Sequence, residues 1–86
     1  MLKKEYPSAW VYKPQDICHF NIPDLIICFF GKFVSIELKV PGSDATKGQA
    51  YELQRIRNAG GRSTVCHSAQ EVREFLKSVT KEISNA

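Results

Sequence analysis

Residues Asp24–Val40 read DLIICFFGKFVSIELKV. Two runs rich in β-branched and aromatic residues, Asp24–Phe30 and Phe33–Val40, flank Gly31-Lys32, which is the pattern of two strands and a tight turn. Glycine at the first central position suits a type II′ hairpin turn. In that register Phe30 faces Phe33, Asp24 lies opposite Lys39, and Ile26 lies opposite Glu37. Opposed residues share a face of the sheet, as do alternate residues along one strand. Asp24, Glu37 and Lys39 therefore project from one face at one end of the hairpin. Leu25, Ile27, Phe29, Val34, Ile36, Leu38 and Val40 take the other face and are the expected core. The arrangement depends on parity, because a loop one residue longer or shorter would send Asp24 and Glu37 to opposite faces.

Elements on either side complete an α/β (mixed α+β) pattern. Met1–Tyr6 reads as the end of a helix stopped by Pro7, and Ala9–Lys13 as a short strand. Pro14–Ile22 is an irregular connection with turn-forming Pro14, Asp16 and Asn21. Beyond the hairpin, Pro41–Ala45 is a loop. Thr46 opens a helix running to about Ala59, with Gln49 at capping-box spacing and a stripe of Ala50, Leu53 and Ile56. Gly60-Gly61 stops it, and Ser63–Cys66 is a further strand. Ser68 and Glu71 repeat the capping-box spacing before Val72, Phe75, Leu76, Val79 and Ile83. The expected order is (α)-β-β-β-α-β-α, a mixed sheet flanked by helices.

The 86 residues suffice for one domain, expected to span 1–86. A net charge of +3 permits a nucleic-acid partner without demanding one. Three cysteines (Cys18, Cys28, Cys66) with no CxxC pair argue against a disulfide framework or a zinc knuckle, and predict buried, reduced thiols in a cytoplasmic protein. No run approaches 18 apolar residues, so no membrane partner is expected.

Two carboxylates and an ammonium on an apolar hairpin call for a compensating partner, since unpaired charges are costly to bury. Magnesium takes oxygen ligands from one or two carboxylates, water and substrate phosphate, and a divalent cation can activate water and polarise a phosphoryl oxygen. Lys39 could orient that water or offset charge developing in the transition state. An ordinary Asp24–Lys39 salt bridge with Glu37 solvated fits the same spacing.

The wider string IPDLIICFFGKFVSIELKVPG, followed by Thr46, Gln49 and RIRNAGG, resembles the virus-type replication-repair nuclease (VRR-NUC) family of the PD-(D/E)xK superfamily. The likeness runs from about Trp10 to Leu76 and is closest to the small stand-alone viral and bacterial type, which resembles Holliday-junction resolvases. It implies a restriction-endonuclease-like core, with Asp24, Glu37 and the Leu38 carbonyl holding Mg²⁺ or Mn²⁺. It makes Lys39 the catalytic lysine and sets Gln49 beside the site. Two departures stand out. The family's first helix usually carries a further glutamate, for which Glu5 is the acidic residue available here. Asn21-Ile22 also stands where a glycine commonly precedes the Pro-Asp pair, although Asn tolerates left-handed backbone.

The implied activity is a metal-dependent, structure-selective DNA endonuclease of the resolvase kind, in the cytoplasm of a bacterial or phage-infected host cell. Lys13, Lys47, Arg55 and Arg62 are candidate phosphate contacts, with Lys32 and Arg57 as further cations. His19 and His67 invite a general-base reading, against which His19, in the loop before the motif, reads as a packed or interface residue. Small size and aromatic residues such as Trp10 and Phe20 fit a homodimer. A flap or fork nuclease, an inactive junction-binding module, and a structural protein in which Asp24 and Lys39 merely pair are the competing readings.

Overall fold

The structure, a computed structural model, describes residues 5–15 and 21–84. Its elements are β1 (Trp10–Tyr12), β2 (Leu25–Phe29), β3 (Lys32–Leu38), α1 (Lys47–Asn58), β4 (Arg62–Cys66) and α2 (Ala69–Ser84). They form one four-stranded sheet in the order β1-β2-β3-β4. The first three strands are antiparallel, and β4 joins β3 in parallel. A parallel neighbour requires a long crossover, and α1 provides it. The expected order of elements and the mixed sheet are both present. The predicted opening helix lies mostly outside the described residues.

The hairpin turn sits one residue earlier than its composition suggests. Phe29 pairs with Lys32 and Leu25 with Ile36, so the two-residue loop is Phe30-Gly31. Both turn residues have positive φ, 51° and 79°, as a type I′ turn requires. Types I′ and II′ both match strand twist, and Phe-Gly lacks the Asn-Gly signature that would have marked type I′. The shift changes the opposing partners. Asp24 projects opposite Glu37 rather than Lys39, and Ile26 pairs with Ser35 rather than Glu37. It preserves the even loop length, so the assignment of faces survives.

One face carries the main core. Leu25, Ile27, Phe29, Val34 and Ile36 pack with Cys66 and with Val72, Leu76 and Val79 of α2. Leu38 and Val40, expected in this core, are 42% and 68% exposed. They lie at and beyond the end of β3, where the sheet is only partly covered: Leu38 lines an open pocket with Ala69 and Val72 of α2. On the opposite face α1 covers the β3–β4 half of the sheet. Leu53 is buried there, and its carbonyl accepts from Ser63 Oγ at 2.7 Å.

Local signals explain the helix limits. Thr46 and Gln49 form a complete reciprocal capping box. The α1 stripe is narrower than expected, because Ala50 is exposed. Gly61 donates to the Ile56 carbonyl, closing α1 after Gly60 at φ 100°. At α2, Ser68 Oγ accepts from the Glu71 amide, but the Glu71 carboxylate reaches back to the His67 amide instead of to Ser68.

Gly31 has open space around it but a φ that L side chains rarely adopt. Replacing it with alanine should therefore cost backbone strain alone, about 1 kcal/mol. Urea unfolding of Gly31→Ala should show this loss with an unchanged dependence on denaturant.

Candidate active site

Asp24 stands just before β2, behind the buried Pro23. Its Oδ2 accepts the Leu38 amide at 2.8 Å, which fixes the carboxylate across the end of β3. Glu37 is only 3% exposed. Its Oε1 accepts from Gln49 Nε2 at 3.2 Å, while its Oε2 is buried with no partner among the described residues.

Gln49 occupies the third position of α1, where its Oε1 takes the Thr46 amide at 2.9 Å. The same side chain thus caps the helix and holds Glu37. The capping role and the site role proposed for it coexist geometrically.

The electrostatics follow from this packing. Burial pushes the Glu37 carboxyl up to about 7, and the Asp24 carboxyl beside it pushes the same way. Lys39 opposes the shift. Lys39 lies just past the end of β3, its amide bonded to the Cys66 carbonyl at 2.9 Å, and by alternation projects on the Glu37 face. A paired Asp–Lys salt bridge is not what forms: Asp24 is bonded to backbone, and its carboxyl adjoins Glu37.

Among the described residues no three His, Cys, Asp or Glu side chains cluster as a metal cage. The donors that do converge fit a hard, octahedral cation with few protein ligands. They are two carboxylates, one with an orphaned buried oxygen, and the nearby Leu38 backbone. Glu5 does not join them. It pairs with Arg73 of α2 at 3.0 Å, next to Tyr6, whose ring packs edge-on against Phe29 in the opposite-face core.

The candidate phosphate contacts separate. Lys13 and Lys47 are exposed, Lys47 in the first turn of α1. Arg55 is exposed, pairs with Glu52 at 3.1 Å and lies over the Tyr51 ring at 6.0 Å. Arg62 is not at the site. It is tied to Glu82 of α2 and the Gly61 carbonyl, and its pairing with Val34 puts it on the α2 face. Arg57 donates to the Ser63 carbonyl and holds α1 to β4, and Lys32 opposes Phe29 on the α2 face. His19, Phe20 and Cys18 lie outside the described residues. Of the other thiols, Cys66 is buried, with burial pushing it up to about 11, whereas Cys28 is exposed.

Asn21 adopts left-handed backbone at φ 67°, as expected of an asparagine in place of the usual glycine. Two features escaped the sequence reading. The first is that the Asn21 side chain lies against Gly48, where an added Cβ would fall 2.5 Å from Asn21 Nδ2. The segment leading into Asp24 thereby approaches the first turn of α1. The second feature is His67. Its Nε2 faces the Ser43 carbonyl at 2.7 Å and its Nδ1 faces Glu71 Oε1 at 3.1 Å. It clasps the loop between Lys39 and Thr46 to the start of α2. No motif marks such a clasp, because it joins residues distant in sequence.

The two pH dependences run the same way. Glu37 has a folded pKa above its unfolded value of 4.5, so stability falls as pH rises from that value through about 7. In EDTA, Glu37→Gln should melt above wild type at pH 8 and level with it at pH 4, read by thermal denaturation. The His67 imidazolium is favoured first by Glu71 and then by the Ser43 carbonyl, which raise its pKa above 6.5. The clasp is complete below 6.5 and released as pH rises through the raised value. Amide exchange at Ser43 should accelerate over that rise in wild type and be fast throughout in His67→Ala.

No protein-family profile and no characterised protein matches the chain in sequence. A solved structure described as a VRR_NUC domain is similar to it at 22% identity, with a TM-score of 0.72. The match covers 87% of this chain and 85% of that one. The chain has the fold of a VRR_NUC domain, a four-stranded mixed sheet with a helix on each face.

Proposed function

We propose that this protein is a metal-dependent, structure-selective DNA endonuclease that hydrolyses phosphodiester bonds in branched DNA, in the manner of a Holliday-junction resolvase. The observation that carries this reading is the buried Glu37 carboxylate, orphaned at Oε2, beside Asp24 and held by Gln49. A carboxylate that costly to bury is retained where it has a charged partner to meet. The shared fold with a VRR_NUC domain supports a nuclease.

Asp24, Glu37 and the Leu38 carbonyl would hold Mg²⁺ or Mn²⁺. When bound, the cation would supply Lewis-acid polarisation of a phosphoryl oxygen and ease deprotonation of the attacking water. Asp24, anchored by the Leu38 amide, fixes one side of that site. Gln49 keeps Glu37 Oε1 aimed, leaving Oε2 to bind. The Lys39 ammonium offsets charge developing on the phosphoryl oxygens. Lys13, Lys47 and Arg55 would meet neighbouring phosphates, giving salt-sensitive affinity. The protein would act in the cytoplasm as a homodimer, each copy cutting one strand of a junction. Exposed Phe30 at the hairpin tip offers apolar surface for the contact.

One observation favours a second reading. Glu5 is engaged by Arg73, so no third carboxylate completes the site among the described residues. That suits a junction-binding module with weak or absent catalysis. Labelled four-way junction, flap, fork and linear duplex, each incubated with Mg²⁺, Mn²⁺ or EDTA, separate the two. The nuclease should cut branched DNA with either metal and not in EDTA. Lys39→Ala should lower the rate about 100-fold or more. Salt-sensitive binding without cuts in either metal would establish the binding module instead.

A further inference from the structure

Among the described residues, the sheet face that bears the carboxylates is only half covered. Trp10 pairs with Cys28, which pairs with Phe33, and Tyr12 pairs with Ile26, which pairs with Ser35. Paired residues share a face, and Ser35 alternates with Glu37. Trp10, Tyr12 and Glu37 therefore stand on the same face, in successive rows along the strands. Neighbouring rows are roughly 7 Å apart, so the Tyr12 row adjoins the carboxylate row and the Trp10 row comes next. Helix α1 covers the β3–β4 side of this face, and no described element covers the β1–β2 side. Trp10 and Tyr12 are 60% and 50% exposed, and Cys28 between them and Phe33 is exposed too.

The two rings are stacked, with centroids 5.8 Å apart and planes 18° from parallel. Val11, between them in sequence, turns to the core instead. The pair thus forms a flat aromatic step on an edge strand, beside the site and followed by the exposed Lys13.

We propose that Trp10 and Tyr12 form a stacking platform for an unpaired nucleobase next to the cation site that Asp24 and Glu37 would form. The proposal rests on the nuclease reading and narrows its substrate to DNA with unpaired nucleotides at the branch, as in a flap or a splayed junction. Every base has a π-face, so such a platform selects unpaired structure rather than sequence. A base in a closed duplex is stacked on both sides and cannot lie on the step. A second copy of the chain is the poorer occupant. Rings of 150–250 Å², about half exposed, offer roughly 200 Å² together, against about 800 Å² per partner for a stable interface.

Trp10 is the one tryptophan of the chain, so its fluorescence reports the platform directly. In EDTA, the full chain is titrated with a labelled 5′ flap and with blunt duplex, reading label anisotropy for binding and tryptophan emission for stacking. The flap should quench Trp10 saturably, with the anisotropy curve, and blunt duplex should quench it far less. Tyr12→Ala should weaken flap binding about tenfold and duplex binding by much less. Trp10→Phe, which keeps a stacking ring, should retain most of the flap preference. Binding and metal-dependent cleavage without quenching would overturn the platform and leave the nuclease standing. Equal weakening of both DNAs by Tyr12→Ala would overturn it as well. So would a change of Tyr12→Ala from dimer to monomer in light scattering, which would assign the rings to a second copy. Neither binding nor cleavage of any DNA would overturn both readings.

Discussion

The constraint on which the structure turns is a carboxylate packed where solvent cannot reach it. Glu37 lies between the sheet and the start of α1, 3% exposed, with Asp24 alongside. Desolvation and a like-charged neighbour both oppose its ionisation. The groups nearby hold it and relieve it only in part. Gln49 supplies one neutral donor, the Leu38 amide takes Asp24, and Lys39 offers the opposing charge from the strand end. A fold optimised for stability alone would place an apolar side chain there. The cost is of the kind retained at functional sites.

The elements around Glu37 are organised by the same requirement. The parallel β3–β4 pair forces a crossover, and that crossover returns with its first turn above the end of β3. Thr46 caps the turn, Gln49 bridges from cap to carboxylate, and Asn21 closes in on Gly48 from the β2 side. His67 then clasps the intervening loop to α2. Helix start, strand end and both connecting segments meet within one small region, while α2 and the five hairpin residues of the main core supply the rigid floor from the opposite face.

Much of this was legible before the structure. Alternation along DLIICFF and FVSIELKV separated the core residues from Asp24, Glu37 and Lys39, and two capping-box spacings placed the helix starts. The turn was misplaced by one residue, yet the faces came out right because side-chain direction depends on the parity of the loop and not on its centre. What was lost was the exact partner: Asp24 meets Glu37, and the Asp–Lys pair dissolves. Leu38 and Val40 misled because alternation assigns a face but not whether anything covers it. Glu5 and Arg62 misled for a related reason. Their carboxylate and guanidinium are satisfied by Arg73 and Glu82 on α2, and no local pattern reveals a partner so distant in sequence. The His67 clasp was invisible on the same ground.

Calorimetric titration of the protein with Mn²⁺ at pH 7 tests most directly the proposal that Asp24 and Glu37 together bind a divalent cation. Because burial holds Glu37 partly protonated near that pH, binding must expel a proton. The heat should therefore vary with the ionisation enthalpy of the buffer, and both the binding and the variation should vanish in Asp24→Asn and Glu37→Gln. Absence of binding in the wild-type protein, or equal binding in Glu37→Gln, would contradict the account.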